Sequence, residues 1–132
     1  MQPGKPVVFG RLPAADGCPA QFFFGLPGNP VSTQVTFHCF VAPLLRAMGG
    51  AMTHGPNFAQ ATLAEDAMGK PGLMQVLPAR LTPGRLRPEV NLVRWQGSGD
   101  LAANARANCY AVLPPEKERF AAGDVVTILL RE

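Results

Sequence analysis

The second half of the sequence consists of five strand-length segments, and this pattern limits the fold more than any other feature of the chain. The segments are residues 58–63, 73–81, 90–95, 108–113 and 125–130. Gly, Pro or charged residues separate them, and only the Ala-rich residues 102–107 favour a helical turn. Short strands that follow one another closely bury a common core by curling into a barrel or by stacking as a sandwich. The pattern therefore predicts a small antiparallel barrel or sandwich.

The first half has a different pattern, with two strands and one helix. Residues 6–9 and 21–24 are apolar and of strand length, and turn-forming residues lie between them at 12–18. Residues 31–48 place apolar side chains at helical spacing in two stripes. A helix with two apolar stripes expects to be covered on both faces, so these elements alone predict an incomplete unit.

Single residues mark the end of this helix and disturb its interior. Arg46 in the last turn and Gly49 just beyond it indicate the C-terminus. Pro43 is expected to kink the helix or loosen a turn, because its ring clashes with the carbonyl group four residues back. After the helix, the lack of periodicity predicts a linker. The predicted organisation is an α+β chain with an α/β unit at residues 1–50, a linker at 51–57 and a small all-β barrel at 58–132.

Composition and charge exclude several classes of protein. Hydrophobic residues make up 47% of the 132 residues, which is typical of a globular chain, and no apolar run approaches the roughly 18 residues of a membrane span. The formal net charge is +3 and the basic residues are scattered, so we expect no binding to nucleic acid. No charged leader precedes an apolar segment. We therefore expect no membrane partner and a cytoplasmic location.

Cysteine and histidine form no metal-binding pattern in the sequence. Cys18, Cys39 and Cys109 are too few and too far apart for a zinc knuckle or a disulfide framework, and an odd number favours a reducing compartment. His38 and His54 show no ligand spacing with each other or with a cysteine. We therefore expect no metal site built from these residues.

Residues 25–32 read GLPGNPVS and join the second strand to the helix. Asn29 is a preferred N-cap residue, and Pro30 suits the first helical position because an N–H group would be unpaired there anyway. Gly25 and Gly28 remove side-chain bulk, so the backbone donors of the helix start could contact an anion such as a phosphate. The same residues suit an ordinary strand-to-helix connection. Residue chemistry alone leaves the anion site and the purely structural turn both open.

Five sequence blocks resemble, in order, the C-terminal part of the molybdopterin molybdenumtransferase family, which includes MoeA and the gephyrin E domain. The blocks are PGKPVVFG at 3–10, GLPGNPVSTQVTF at 25–37, QGSGDL at 96–101, ANCYAVLP at 107–114 and GDVV at 123–126. The resemblance implies that residues 1–50 are the C-terminal edge of an α/β, molybdopterin-binding-like domain, and that a β-barrel domain follows. The early strands and acidic residues of that α/β domain have no counterpart here, so we expect a C-terminal fragment of a longer protein.

The resemblance also implies a function in molybdenum cofactor biosynthesis. In this family, molybdenum from molybdate is inserted into adenylylated molybdopterin with the help of a divalent cation, usually Mg²⁺, and the active form is a homodimer whose cleft uses both subunits. The acidic residues for the metal-dependent chemistry are the ones missing here. The fragment alone is therefore expected to be inactive and to bind no cofactor tightly, and its catalytic residues stay unknown.

The resemblance assigns substrate contacts to a small set of residues. In and before the turn these are Lys5, Pro27, Gly28, Asn29, Pro30 and Ser32. In the barrel, Ser98 of the Gly-Ser-Gly turn matches a serine that lines the cleft facing the partner subunit. From their chemistry alone, Lys5 could equally be a solvated turn lysine and Ser98 an ordinary turn residue.

One position departs from the family pattern. The family places a basic residue in an early barrel strand, after a Pro-Gly turn, to help hold molybdate. The sequence has two Pro-Gly turns, and the two possible alignments bring Pro78 or Val90 to that position. Arg80 would share a strand face with Pro78 and is a conceivable substitute. A different class of function also stays open: a free-standing, non-catalytic binding or assembly module formed by the barrel.

Overall fold

The computed structural model describes residues 1–94, 96 and 100–131. The chain begins with an antiparallel hairpin of β1 (Val8–Leu12) and β2 (Gln21–Gly25). β1 starts two residues later than predicted and extends through Leu12, which had been expected in the turn, because Leu12 still pairs with Gln21. Phe9 lies opposite Phe24, and their ring centroids are 4.9 Å apart.

One continuous helical run follows the hairpin. It consists of α1 (Pro30–Thr36), a π-helical turn (Phe37–Val41) and α2 (Ala42–Met48). The irregularity predicted at Pro43 takes the form of this π turn, in which the amide of Ala42 donates to the carbonyl of Phe37. A wider turn leaves room for the ring of Pro43, which would otherwise meet a carbonyl group one turn back. The run ends before Gly50, whose φ of +80° suits glycine.

The remaining elements form a closed five-stranded barrel and a small accessory ribbon, which confirms the predicted α+β fold with its barrel. In chain order they are β3 (Phe58–Leu63), β4 (Ala67–Met68), β5 (Gln75–Thr82), β6 (Glu89–Leu92), α3 (Leu101–Arg106), β7 (Cys109–Leu113), β8 (Arg119–Phe120) and β9 (Val125–Leu130). The barrel order is β3-β6-β5-β7-β9, and β9 pairs with β3 to close it. Strands β3 and β6 are parallel, and the other neighbours in the barrel are antiparallel.

Two clusters of buried residues hold the chain together. The larger one fills the barrel and includes Leu77, Ala79, Val90, Ala111 and Ile128. The smaller one joins Val31 and Val35 of α1 to Val76, Tyr110 and Leu129. Because side chains alternate along a strand, the last three residues point to the outside of the barrel, away from Leu77, Ala111 and Ile128. Helix α1 therefore covers an outer face of the barrel. The domain bounds 1–50, 51–57 and 58–132 stay a prediction.

Candidate functional site: the capped turn and its seat on the barrel

The capped turn, residues 25–32, leads from β2 into α1. Asn29 has an extended backbone (φ −76°, ψ 127°), and its side-chain oxygen accepts from the amide of Ser32 at 3.5 Å. Its carbonyl oxygen accepts from the amide of Thr33 at 2.8 Å and from the hydroxyl of Thr33 at 2.9 Å. The same hydroxyl also donates to the carbonyl of Pro27. These bonds place Asn29 as the N-cap and Pro30 at the first helical position, as predicted.

The predicted contact residues of the turn differ in exposure. Pro27 and Ser32 are buried, Asn29 and Pro30 are half-buried, and Gly28 is exposed. A Cβ atom at Gly28 would meet no atom within 4 Å, and its φ is not in the left-handed region. Neither packing nor backbone conformation within this chain therefore requires glycine there. Close approach of another molecule would be a reason for it, and Gly28 is exposed.

Lys5 lies on a segment that crosses the far end of α1. The amide of Gln2 donates to Met74 and its carbonyl accepts from Val76, both at 2.8 Å, so this segment is tied to the barrel. A Cβ atom on Gly4 would lie 3.8 Å from Cγ2 of Thr36, which is about 9 Å along the helix from its first residue. Lys5 is exposed, and no described residue forms a hydrogen bond or ion pair with it. The structure thus groups residues 27–32 but brings no contact from Lys5 to them.

Helix α1 packs on the barrel through buried apolar side chains, and we call this contact the apolar seat. Val31, Val35, Tyr110 and Leu129 each have 0% of their surface exposed, and Val76 has 2%. Full burial of side chains of this size stabilises a fold by about 1.5–3 kcal/mol each. The capped turn is consequently fixed to the barrel through the first turns of α1, rather than only through the chain connection at residues 51–57.

A network of hydrogen bonds lies beside this apolar seat. Oη of Tyr110 is 2.8 Å from Oε1 of Gln34 and 3.0 Å from Oδ1 of Asn104. The guanidinium of Arg131 donates to Oε1 of Gln34 at 2.9 Å and to the carbonyls of Asn104 and Ala107 at 2.8 and 2.7 Å. The phenol has one proton, which the two amide oxygens share as acceptors. Burial raises the pKa of Tyr110, and the nearby Arg131 charge opposes this more weakly, so the phenol is neutral at pH 7.

Helix α3 begins three residues after Ser98 in the sequence. Its N-cap is Asp100, whose carboxylate accepts from the amides of Ala103 at 2.8 Å and Gln96 at 3.2 Å. The hydrogen bond from Ala103 is the main reason why the pKa of Asp100 is lowered. Ser98 itself lies outside the described residues, so its predicted role stays a prediction.

The three residues considered for a molybdate contact occupy different environments. Val90 is fully buried in the barrel core, and Pro78 is also buried. Arg80 is exposed on β5, and its guanidinium is 3.5 Å from the carbonyl of Arg106. Of the three positions, only Arg80 presents a charged group to the surface.

The described residues contain no group of three or more His, Cys, Asp and Glu side chains that could hold a metal ion. Burial raises the pKa of Cys39, and it raises that of Cys109 to about 11. These two thiols are therefore neutral at pH 7 and poor nucleophiles. Among the described residues, no helix is both long enough and apolar enough to cross a membrane.

The fold and the site define a class: a closed five-stranded barrel that carries an Asn-capped helix on its outer face. The model of the family described as MoeA C-terminal region (domain IV) matches residues 60–130, and the chain belongs to this family. Two proteins called molybdopterin molybdenumtransferase are similar to it. The one from Haemophilus influenzae is 37% identical over 132 residues, which are 97% of this chain and 31% of that protein. The one from Staphylococcus aureus strain Mu50 is 33% identical over 132 residues, 100% of this chain and 30% of that protein.

Solved structures show the same relationship. The chain superposes on the molybdopterin biosynthesis MoeA protein from Pyrococcus horikoshii OT3 with a TM-score of 0.70 and 26% identity, over 98% of this chain and 30% of that one. A second structure of the molybdopterin biosynthesis MoeA protein from Pyrococcus horikoshii gives a TM-score of 0.72 and 28% identity, over 98% of this chain and 29% of that one. The chain thus spans about 30% of the length of the curated relatives it matches.

Sequence reasoning missed the hydrogen-bond network. Tyr110 is the only tyrosine of the sequence, and it stands inside an apolar strand, which is a signal that its hydroxyl needs a buried partner. Gln34 and Arg131 carry no such signal, because a polar residue on a helix and a basic residue near a chain end are common on exposed surfaces. The partners could be found only from the structure.

Proposed function

We propose that this chain contributes the C-terminal part of a molybdopterin molybdenumtransferase, which inserts molybdenum from molybdate into adenylylated molybdopterin. The match of the barrel to the MoeA C-terminal family, together with a capped turn on its outer face, is the observation that carries the proposal. The relatives have the same region within proteins about three times as long. The activity is therefore proposed for the longer protein, and the isolated chain is expected to lack it.

The proposed substrate contacts are those of the capped turn. Gly28 offers an exposed backbone without a side chain, and Asn29 and Pro30 form the half-buried wall beside it. Buried Pro27 and Ser32 would shape the turn from below, while exposed Lys5 would add positive charge for the anionic substrate. In the barrel, we propose Ser98 as a further contact and Arg80 as a contact to molybdate.

The α/β unit at residues 1–50 is proposed to be completed by additional polypeptide. Both faces of the hairpin expose large apolar side chains, with Phe9 56% and Phe22 41% exposed on one face and Val8 54% and Phe23 50% exposed on the other. A groove of about 610 Å³ between the hairpin and the helical run is lined mainly by apolar residues. A two-stranded hairpin in this state is marginally stable in water, so further strands and helices would stabilise it.

The other proposed partners follow from the family. Mg²⁺ would assist the reaction through carboxylates outside this chain, since the described residues offer no ligand cluster. We propose a homodimer in which the barrel faces the partner subunit. A cytoplasmic location would suit the three free cysteines, because thiols persist in a reducing compartment.

A chimeric enzyme tests the proposal. In the chimera, this chain would replace the matching region of the Haemophilus influenzae relative. The chimera and the isolated chain would both be assayed for molybdenum insertion. We expect activity from the chimera and none from the chain. Gly28→Asp would place a negative charge at the proposed anion contact and should abolish activity. Its control is Gly55→Asp, because a Cβ atom at Gly55 also meets nothing within 4 Å.

The alternative, a non-catalytic binding or assembly module, is favoured by one observation: the barrel closes on its own core. A chimera that folds but is inactive, or activity that Gly28→Asp leaves unchanged, would favour that module and contradict the proposed role of the turn.

A further inference from the structure

Three side chains tie the capped turn's helix to the barrel and to α3 at once. Gln34 belongs to α1, Tyr110 to β7, and Arg131 follows β9, so the three come from elements far apart in the sequence. Arg131 is held by two backbone carbonyls, those of Asn104 and Ala107, and its remaining bond reaches Gln34. One guanidinium thereby links α1 to the end of α3.

We propose that Gln34, Tyr110 and Arg131 are positioning residues that set the orientation of the capped turn relative to the barrel. The role in substrate binding rests on the proposed function, whereas the orientation itself does not. None of the three is proposed to touch the reacting atoms.

Apolar packing holds α1 against the barrel but constrains its exact orientation less than directional bonds do. Contacts among Val31, Val35, Val76 and Leu129 are non-directional, so a small rotation of α1 changes their energy less than it changes that of a hydrogen bond. Hydrogen bonds weaken steeply when their angles change, and those formed by a charged donor are roughly twice as strong as neutral ones. The bond from Arg131 to Gln34 therefore selects one orientation of α1 among those that the apolar seat permits.

The environment of the network increases this effect. Tyr110 has 0% and Asn104 3% of the surface exposed, so a partner lost from the network would not be replaced freely by water. The ring of Tyr110 also lies 5.8 Å from the guanidinium carbon of Arg131, which holds the aromatic and the cationic group together.

Distance measurements in the full 132-residue chain test the orientation. Ketone-bearing phenylalanine analogues at Phe40 and Phe58 would carry spin labels, since both side chains are exposed, one on the helical run and one on β3. We expect one narrow distance distribution in the parent chain and a broadened or shifted one in Gln34→Met and Tyr110→Phe. Gln60→Met is the matched control, because Gln60 is exposed on β3 and should change nothing.

A conservative variant separates positioning from simple stabilisation. In Gln34→Glu, the carboxylate accepts from both Arg131 and Tyr110, so the narrow distribution should be retained at pH 7.5. A residue that only stabilises the fold would lower the unfolding midpoint but leave the distances of the folded molecules unchanged. An unchanged distribution in folded Gln34→Met would overturn the proposal.

Binding of adenylylated molybdopterin to the chimeric enzyme carrying the same substitutions, measured by calorimetry, tests the link to substrate. We expect an affinity about tenfold weaker in Gln34→Met and within about twofold of the parent in Gln34→Glu. Absence of binding to the parent chimera would count against the proposed function of the turn, while the distances would still decide the orientation. Altered distances with unchanged affinity would overturn the positioning of substrate.

Discussion

The shared apolar cluster predicts that α1 and the barrel unfold together, and Val35→Ala tests this. The side chain of Val35 is fully buried against Val76, Tyr110 and Leu129. The substitution removes two methyl groups, which costs about 1.6 kcal/mol of transfer free energy, plus roughly 1 kcal/mol for the cavity that remains. Alanine has the higher helix propensity and returns about 0.5 kcal/mol. The expected loss in the free energy of unfolding is therefore about 2 kcal/mol.

Urea unfolding would be followed by two probes: helical circular dichroism, dominated by residues 30–48, and the ¹⁹F NMR signal of a fluorophenylalanine introduced at Phe120, which is buried in the barrel core. Both midpoints should fall together by about 1 M, given slopes of roughly 1–3 kcal/mol per M. Leu45→Ala is the control, because its side chain is 55% exposed in α2 and should change stability by less than about 0.5 kcal/mol. A shift of the dichroism midpoint alone would refute a common cluster and would mean that the barrel folds without α1.

Three further predictions concern single positions. Asn29→Ala removes the N-cap and should lower the free energy of unfolding by about 1 kcal/mol, measured by urea unfolding. Gly28→Ala should be nearly neutral in the same assay, whereas Gly69→Ala should be clearly destabilising, because its Cβ atom would lie 2.8 Å from the carbonyl oxygen of Lys117. The carboxylate of Asp124 accepts from Lys117 at 2.5 Å, and this bond lowers the pKa of Asp124. The bond therefore stabilises the fold above the ordinary carboxyl pKa, and this stabilisation is lost as the pH falls through the lowered pKa. Asp124→Asn should lower the urea midpoint at pH 7, and the difference from the parent should shrink as the pH falls below the ordinary carboxyl pKa.

Local chemistry accounts for the parts of the fold that the sequence could predict. The barrel follows from period-two strands separated by turn residues, and the helix start follows from the cap type of Asn29 and the fixed φ of Pro30. Pro43 predicts that the helix is irregular. The type of irregularity, a π turn, depends on which carbonyl groups accept from the amides along the whole helical run. The late start of β1 depends on pairing with β2, which propensity does not encode.

The parts of the site that the sequence could not predict are those that depend on contacts across the chain. Gln34 and Arg131 are 97 positions apart, and they meet only because α1 lies on the outward face of β7 and β9. That placement is a property of the closed barrel, since alternation leaves Tyr110 and Leu129 pointing outward and in need of cover. A search for motifs finds the turn but not the residues that hold it.

One face of the helical run is packed against the barrel, whereas another face is partly uncovered. Toward the barrel, Val31 and Val35 are fully buried and Gln34 is hydrogen-bonded to the barrel, so this face already has its partner. Elsewhere on the run, Phe40 and Leu44 line the apolar groove, and Phe40 remains 44% exposed. The barrel has no free edge because it closes, whereas the hairpin keeps unpaired edges among the described residues. A ligand at the capped turn would therefore lie between a side that this chain fixes rigidly and a side that other polypeptide would have to cover.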